Sequence, residues 1–342
     1  MKEKIRIGQI GICHEHASGK ILSLRGLPEV FEIVGVVDDR ETSKGARFLP
    51  PDLLKPYEGL RFMTEEELLA VPGLRAVTVE TPNADLVKTA LRCMERGLSM
   101  HMDKPGGEDL ALFGTLRRGC EARGLPFQMG YMFRHNPAIH MALRAVREKW
   151  LGEVFEIQAS MSHDYGGEAY RDYLGKMEGG ILYNLGGHLI DLVVSMLGRP
   201  LRVTPFLQSG PGTPGTVKNL CLAILEYPHA NATLRASSLE VDGLPNRRLK
   251  ICGTQGTIDL CPMERFDGAP LTMRLTLREG NAEFAAGTHT VDAGVRSDRY
   301  QDQLLDLAAM IRGERGNPYG FEHDYMVQEI LLAASGRLAW RG

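Results

Sequence analysis

The chain has 342 residues, with 40 Lys and Arg against 43 Asp and Glu, a formal net charge of −3. That length suggests about two domains and enough buried surface to fold without staples. The balanced charge argues against a nucleic-acid binder, which carries a basic stripe, and no Lys/Arg run marks a membrane-surface anchor.

The opening, MKEKIRIGQIGI, mixes charge into its first apolar stretch and reads as a buried strand rather than a secretory leader. Residues 185–197 are the most apolar later stretch, but His188 and Asp191 interrupt it, and it is too short to span a bilayer. Cys13, Cys93, Cys120, Cys221, Cys252 and Cys261 contain no C-x-x-C pair and read as reduced thiols of a cytoplasmic protein.

In chain order, residues 5–12 read as a strand, 17–25 as a short helix and 32–37 (EIVGVV) as a second strand. Thr64 and Glu67 have capping-box spacing. A third strand covers 75–80, after which Asn83 caps a helix to 96 that Gly97 ends. A strand at 98–102, a helix at 108–123 closed by Gly124 and a strand at 127–131 follow. Strands separated by helices imply parallel crossovers, hence a doubly wound α/β domain with helices on both faces.

Beyond 131 the pattern changes. Asn136-Pro137 starts a helix running to about 150, and 154–162 alternates like a strand. Residues 179–197 are a Gly-rich turn entering a helix. Strand-like runs near 201–207, 219–227, 230–238, 247–252, 256–261 and 271–277 follow without helices between them, which implies a mostly antiparallel sheet. Helices at 298–312 and 322–339 close the chain. The division expected is a dinucleotide-binding domain at 1–130 and an α+β domain with a large open sheet at 131–342.

The first strand runs into Gly8-Gln9-Ile10-Gly11-Ile12-Cys13-His14-Glu15-His16. A Rossmann dinucleotide fold wants G-x-G-x-x-G here. Only Gly11 is in place; Cys13 holds the second slot and His16 the third. The segment still follows a first strand and opens onto a helix whose N-terminal amides favour an anion. The acidic pair Asp38-Asp39 ends the second strand, near the ~20-residue offset of a ribose-binding acid. A carboxylate there accepts from both ribose hydroxyls and repels a 2′-phosphate, favouring NAD over NADP, although Arg40 is adjacent. His14 and His16 form a His-x-His pair, but no nearby Cys, Asp or Glu cluster completes a metal site. They read as lining the cofactor cleft or packing the turn.

Four further segments resemble those of the Gfo/Idh/MocA oxidoreductases, the relatives of glucose–fructose oxidoreductase and inositol dehydrogenase. Val79-Glu80-Thr81-Pro82-Asn83 is similar to the family's T-P-N turn, with Leu86 where a His often follows. His101-Met102-Asp103-Lys104-Pro105 is similar to its E-K-P motif, with Asp for Glu. Tyr131-Met132-Phe133-Arg134-His135-Asn136-Pro137 resembles the R-x-x-P crossing into the second domain. Gly179-Gly180, Asn184, Gly186, His188 and Asp191 resemble the G-G-x-x-x-D-x-G-x-H-x-x-D signature, with Asn for the first Asp. Gly253-Thr254-Gln255-Gly256-Thr257 resembles a sheet turn common in the family.

The resemblance implies a nicotinamide cofactor near Thr81, Pro82, Asn83 and Asp103, and a homodimer or homotetramer formed through the second sheet. It implies a catalytic group of Lys104, His188 and, here, Asn184. Oxidising a secondary alcohol needs a base for the hydroxyl proton, which histidine suits unperturbed, and an ammonium favours the developing negative oxygen. Asn184 accepts or donates a hydrogen bond but carries no charge. Asp191, one helical turn past His188, orients it, binds a sugar hydroxyl or has a structural role. His163, Asp164, Tyr165, Tyr170, Arg171 and Tyr173 form a polar-aromatic loop suited to sugar stacking or to a folded cover, and Arg134 binds substrate or ties the domains together. The reading is an NAD-dependent dehydrogenase of a sugar, polyol or cyclitol. Two alternatives stay open: an NAD-dependent glycosidase with transient oxidation, and a non-catalytic dinucleotide or sugar binder.

Overall fold

Six apolar runs form a parallel sheet: β1 (Ile5–Ile10), β2 (Phe31–Val37), β3 (Phe62–Met63), β4 (Ala76–Val79), β5 (Ser99–Met102) and β6 (Phe127–Met129). The computed structural model describes residues 2–43, 45, 49, 51–164 and 167–342; Tyr165 lies outside the described residues. The order β3-β2-β1-β4-β5-β6 is that of the doubly wound dinucleotide fold. β4 and β5 are buried along their whole length, as parallel strands with covered faces must be. The crossovers carry α1 (Ala17–Arg25), α2 (Glu65–Leu69), α3 (Leu86–Glu95) and α4 (Leu110–Ala122). Thr64 and Glu67 make the expected capping box on α2.

Gly11 has φ 97, and a Cβ there would stand 2.6 Å from the backbone of Glu80 and Thr81. Only glycine lets the β1 turn lie against the end of β4. Asn83 does not cap α3: the N-cap is Asp85, without a side-chain bond, because the Asn83 Oδ1 is taken by His14.

A second, eight-stranded sheet has the order β14-β13-β12-β11-β7-β10-β9-β8. Its strands are β7 (Val154–Ser160), β8 (Arg202–Gln208), β9 (Leu220–Glu226), β10 (Asn231–Ser237), β11 (Arg248–Gly253), β12 (Gly256–Leu260), β13 (Thr272–Leu277) and β14 (Gly287–Asp292). Only the β7–β10 pairing is parallel. Cys221, Ala223 and Leu225 of β9 and Ala232, Leu234 and Ala236 of β10 alternate inward, giving one covered face. The remaining helices are α5 (Pro137–Arg147), α6 (Gly167–Gly175), α7 (Gly180–Leu197), α8 (Gln301–Ile311) and α9 (Phe321–Ala334). Asn136 caps α5 through Oδ1, with Pro137 in the first turn.

The chain divides into one unit of Met1–Tyr131 with Asp298–Gln328 and another of Met132–Ser297 with Glu329–Gly342. Residues 298–328, read in sequence as part of the second domain, therefore complete the first. Leu304 and Ala308 of α8 join Ile5, Ile7 and Ile21 in its core. Among the described residues α7 is long and apolar enough to cross a membrane by length and composition. It starts at Gly180, longer than the 185–197 stretch read from sequence, yet 83% of it is buried inside the structure. The stretch expected as a polar-aromatic loop holds α6, because Tyr170, Tyr173 and Leu174 repeat at helical spacing and bury one face. β3 and β14 were not foreseen.

Candidate functional site

Within the first unit, the carboxyl ends of β1, β2 and β4 open on a cavity of about 650 Å³ walled by Ile10, Asp38, Thr81, Asp85 and Arg92. Ligands of doubly wound sheets bind at such ends. The buried Thr81 Oγ1 and an oxygen of Asp85 have no hydrogen-bond partner, the mark of polar walls left for a ligand. Asp38 faces this cavity with Arg40 folded back on it, Nη2 donating to Oδ2 at 2.6 Å. Arg40 holds the Asp38 carboxyl below its ordinary range, against the opposing effect of burial.

Asp39 turns the other way. Its Oδ1 accepts from the Ile12 and Cys13 amides at 2.8 and 3.1 Å. The sequence placed Ile12 and Cys13 in a cofactor-binding loop; the structure gives their amides to an internal carboxylate, which anchors the loop to β2.

The histidines lie one turn further. His14 Nε2 faces Asn83 Oδ1 and the Lys104 carbonyl at 3.1 and 3.2 Å. Both are acceptors, so Nε2 carries the proton and Nδ1 the lone pair, which accepts from the His16 amide at 3.2 Å. Burial pushes the His14 pKa down to about 4. His16 Nδ1 lies 3.1 Å from both oxygens of Asp103. Asp103, 103 positions into the chain yet beside the loop, supplies the carboxylate the His-x-His pair lacked in sequence.

Lys104, at the end of β5, is 1% exposed, and its Nζ donates to Glu15 Oε1 at 3.1 Å. Burial raises the Glu15 carboxyl, but the Lys104 ammonium and the neighbouring histidines outweigh it and hold it at about 2. Glu15 was missed in sequence; nothing in its spacing links it to a residue 89 positions away.

The second unit gathers another group. Asn184 Nδ2 donates to the Tyr170 hydroxyl at 3.0 Å, leaving that proton for His163 Nε2 at 3.2 Å. All three are buried, and the Tyr170 and His163 rings meet edge to face at 5.0 Å. Tyr173 stacks behind Tyr170 at 5.7 Å, while Asp164 is exposed and Arg171 meets Glu168 on the α6 surface. His188 is buried on α7, its ring 5.9 Å from that of Phe133. Arg134 donates from both Nε and Nη2 to Asp191, at 3.1 and 2.6 Å, with both side chains buried. That bidentate pair gives Arg134 and Asp191 a structural role inside the second unit.

A parallel dinucleotide-type sheet and an open, mostly antiparallel sheet define a two-unit α/β class of protein. Residues 139–259 match the GFO/IDH/MocA C-terminal domain. An uncharacterized oxidoreductase, ORF334 of Rhizobium meliloti, is 25% identical over 98% of this chain and 96% of its own length. The scyllo-inositol 2-dehydrogenase (NADP(+)) IolW of Bacillus subtilis is 24% identical over 60% of this chain, spanning 58% of its own length. A structure of levoglucosan dehydrogenase with NADH and levoglucosan superposes with a TM-score of 0.77 at 16% identity, covering 98% of this chain and 97% of that one, and shares the fold. Residues 139–259 thus carry the likeness to the Gfo/Idh/MocA family, and the chain as a whole is similar to oxidoreductases.

Proposed function

We propose that this chain is an NAD-dependent oxidoreductase acting on a secondary hydroxyl of a sugar, polyol or cyclitol. The observation that carries the reading is the cavity at the ends of β1, β2 and β4, with Asp38 in its wall and the unpartnered Thr81 Oγ1 buried beside it. An acid and a free hydroxyl there suit a ribose. Asp38 would accept from the ribose hydroxyls, with the 81–83 turn and the Gly11–His16 loop flanking the dinucleotide. Nicotinamide, when bound, supplies the electron-pair acceptor for the substrate C–H bond.

The remaining work falls to the chain. Lys104 hydrogen-bonds the substrate oxygen and favours its negative charge, in exchange for its contact with Glu15. His188 takes the hydroxyl proton. Asn184, held by Tyr170, contacts a substrate hydroxyl together with His163. The relatives supply both cofactor forms, NADP(+) for IolW and NADH for levoglucosan dehydrogenase. The Asp38 carboxylate in the cavity wall, once Arg40 opens off it, favours NAD here. A homodimer or homotetramer through the second sheet fits its uncovered face, where Phe206 of β8 is 46% exposed opposite Leu222 of β9.

The test is formation of reduced cofactor across a polyol and sugar panel, by absorbance, with His188→Ala alongside. Turnover reduced at least about a hundredfold by the substitution is expected, from the usual range for general-base loss. Equal turnover would overturn the role of His188. A second reading, a non-catalytic binder, is favoured by Asp39 taking two loop amides and Glu15 holding Lys104. Calorimetric binding of NAD without turnover on any panel member would select it.

A further inference from the structure

The His-x-His pair has no task in the hydroxyl chemistry above. Among the described residues, two His/carboxylate groups bring their ligand atoms within 4.8 Å: His14, His16 and Asp103, and Glu80, His101 and Asp103. The second group already has its cation. Lys20 Nζ, fully buried, donates to His101 Nε2 at 2.7 Å, and His101 Nδ1 donates to Gln128 Oε1 at 2.8 Å, so both ring nitrogens are used.

The first group differs. The His14 tautomer is fixed by Asn83 and the Lys104 carbonyl; its Nδ1 accepts from the His16 amide at 3.2 Å and lies 3.8 Å from Asp103 Oδ2 and 3.9 Å from Glu80 Oε2. Glu80 is wholly buried, and neither of its oxygens has a hydrogen-bond donor. His16 Nδ1 adds a third direction at 3.1 Å from Asp103. Tetrahedral ligands about 2.0–2.2 Å from a zinc ion stand roughly 3.4 Å apart. The observed 3.1 to 3.9 Å separations bracket that value. The acceptor bond that fixes the His14 ring from behind is the arrangement by which proteins orient metal-binding imidazoles.

We infer that His14, His16, Asp103 and Glu80 form a binding site for one divalent first-row transition ion, with zinc as the reference ion. Two imidazoles and two carboxylates are the donors such ions prefer over calcium or magnesium. Lys20 and Lys104 are the nearby cations, and Lys104 is already matched by Glu15. On binding, the ion takes the place of the His16 amide at His14 Nδ1 and of the proton that His16 Nδ1 shares with Asp103, that proton passing to solvent or to Nε2. His16 keeps its side chain 15% exposed, which gives the ion a route in. The inference does not rest on the dinucleotide reading, and its test uses none.

Tag-free chain, stripped with chelator and desalted, is titrated with zinc chloride by calorimetry and with cobalt chloride by visible absorption. One ion per chain is expected, with cobalt d–d bands of the intensity of a four- or five-coordinate site. His16→Ala and Glu80→Gln should each weaken binding by about tenfold or more, a usual effect of disturbing such a site. The melting temperature of each metal-free variant verifies that it folds, and His16, being part-exposed, is the safer of the two. No stoichiometric binding, or binding that either folded variant leaves unchanged, would overturn the site.

Discussion

Under the proposed function, cofactor choice falls to Asp38 and Arg40. Their pair is exposed on the Arg40 side, 43%, so it contributes little to stability and is free to open. Removing the carboxylate leaves Arg40 to meet a 2′-phosphate. Asp38→Ala should therefore raise the NADP-to-NAD affinity ratio by about tenfold, roughly 1.4 kcal/mol, in paired calorimetric titrations; an unchanged ratio would remove Asp38 from the ribose site. Arg134 and Asp191 are a different kind of pair, buried on both sides. Arg134→Met strands a buried carboxylate and should cost about 3–5 kcal/mol in denaturant unfolding, while adding Asp191→Leu should recover most of it. Asn184→Asp places a carboxyl where an amide now donates to Tyr170. Burial raises the folded pKa of such a carboxyl above its unfolded value. The variant should then lose about 1–3 kcal/mol at neutral pH and little below pH ~4, where the group is neutral in both states.

At the scale of elements, local signals placed most of the frame. Asn136 caps α5 with Oδ1 while its Nδ2 donates to the Met263 carbonyl at 2.8 Å. Asn136→Ala should cost about 1–2 kcal/mol in thermal unfolding, the upper part of the range for a cap, because a second bond goes with it. A cost under a few tenths would show that Pro137 alone starts the helix. The parallel strands were legible because each is a β-branched or apolar run between helical patterns. The open sheet was legible from consecutive alternating runs. β14 was not, since G-T-H-T-V-D has one buried residue, Val291, and so no inward stripe. α6 was hidden because its acidic and aromatic residues read as a binding loop until Tyr170 and Tyr173 were seen to face inward. Among the candidate site residues, Lys104, His188 and Asn184 were visible through motifs along the chain. Glu15 beside Lys104, Asp39 beneath the loop amides and Asp103 beside His16 were not, because tertiary proximity leaves no spacing to read.

At the scale of the whole molecule, the first unit is discontinuous, its core closed by Leu304 and Ala308. Tyr300 also covers the buried Lys20 ammonium at 4.1 Å from its ring centroid. A fragment ending at residue 131 loses both and exposes apolar surface on α1 and β1. It should lack a cooperative melting transition by circular dichroism, while the full chain shows one. A sharp transition in the fragment would mean that α8 is dispensable to that core. The same discontinuity sets an order of events during synthesis. The ribosome delivers the nucleotide-type sheet first but withholds its last helix until the intervening segment has emerged. A nascent chain thus waits with one flank open, and premature termination anywhere before residue 300 leaves a product marked for chaperones and proteases rather than a half-working enzyme.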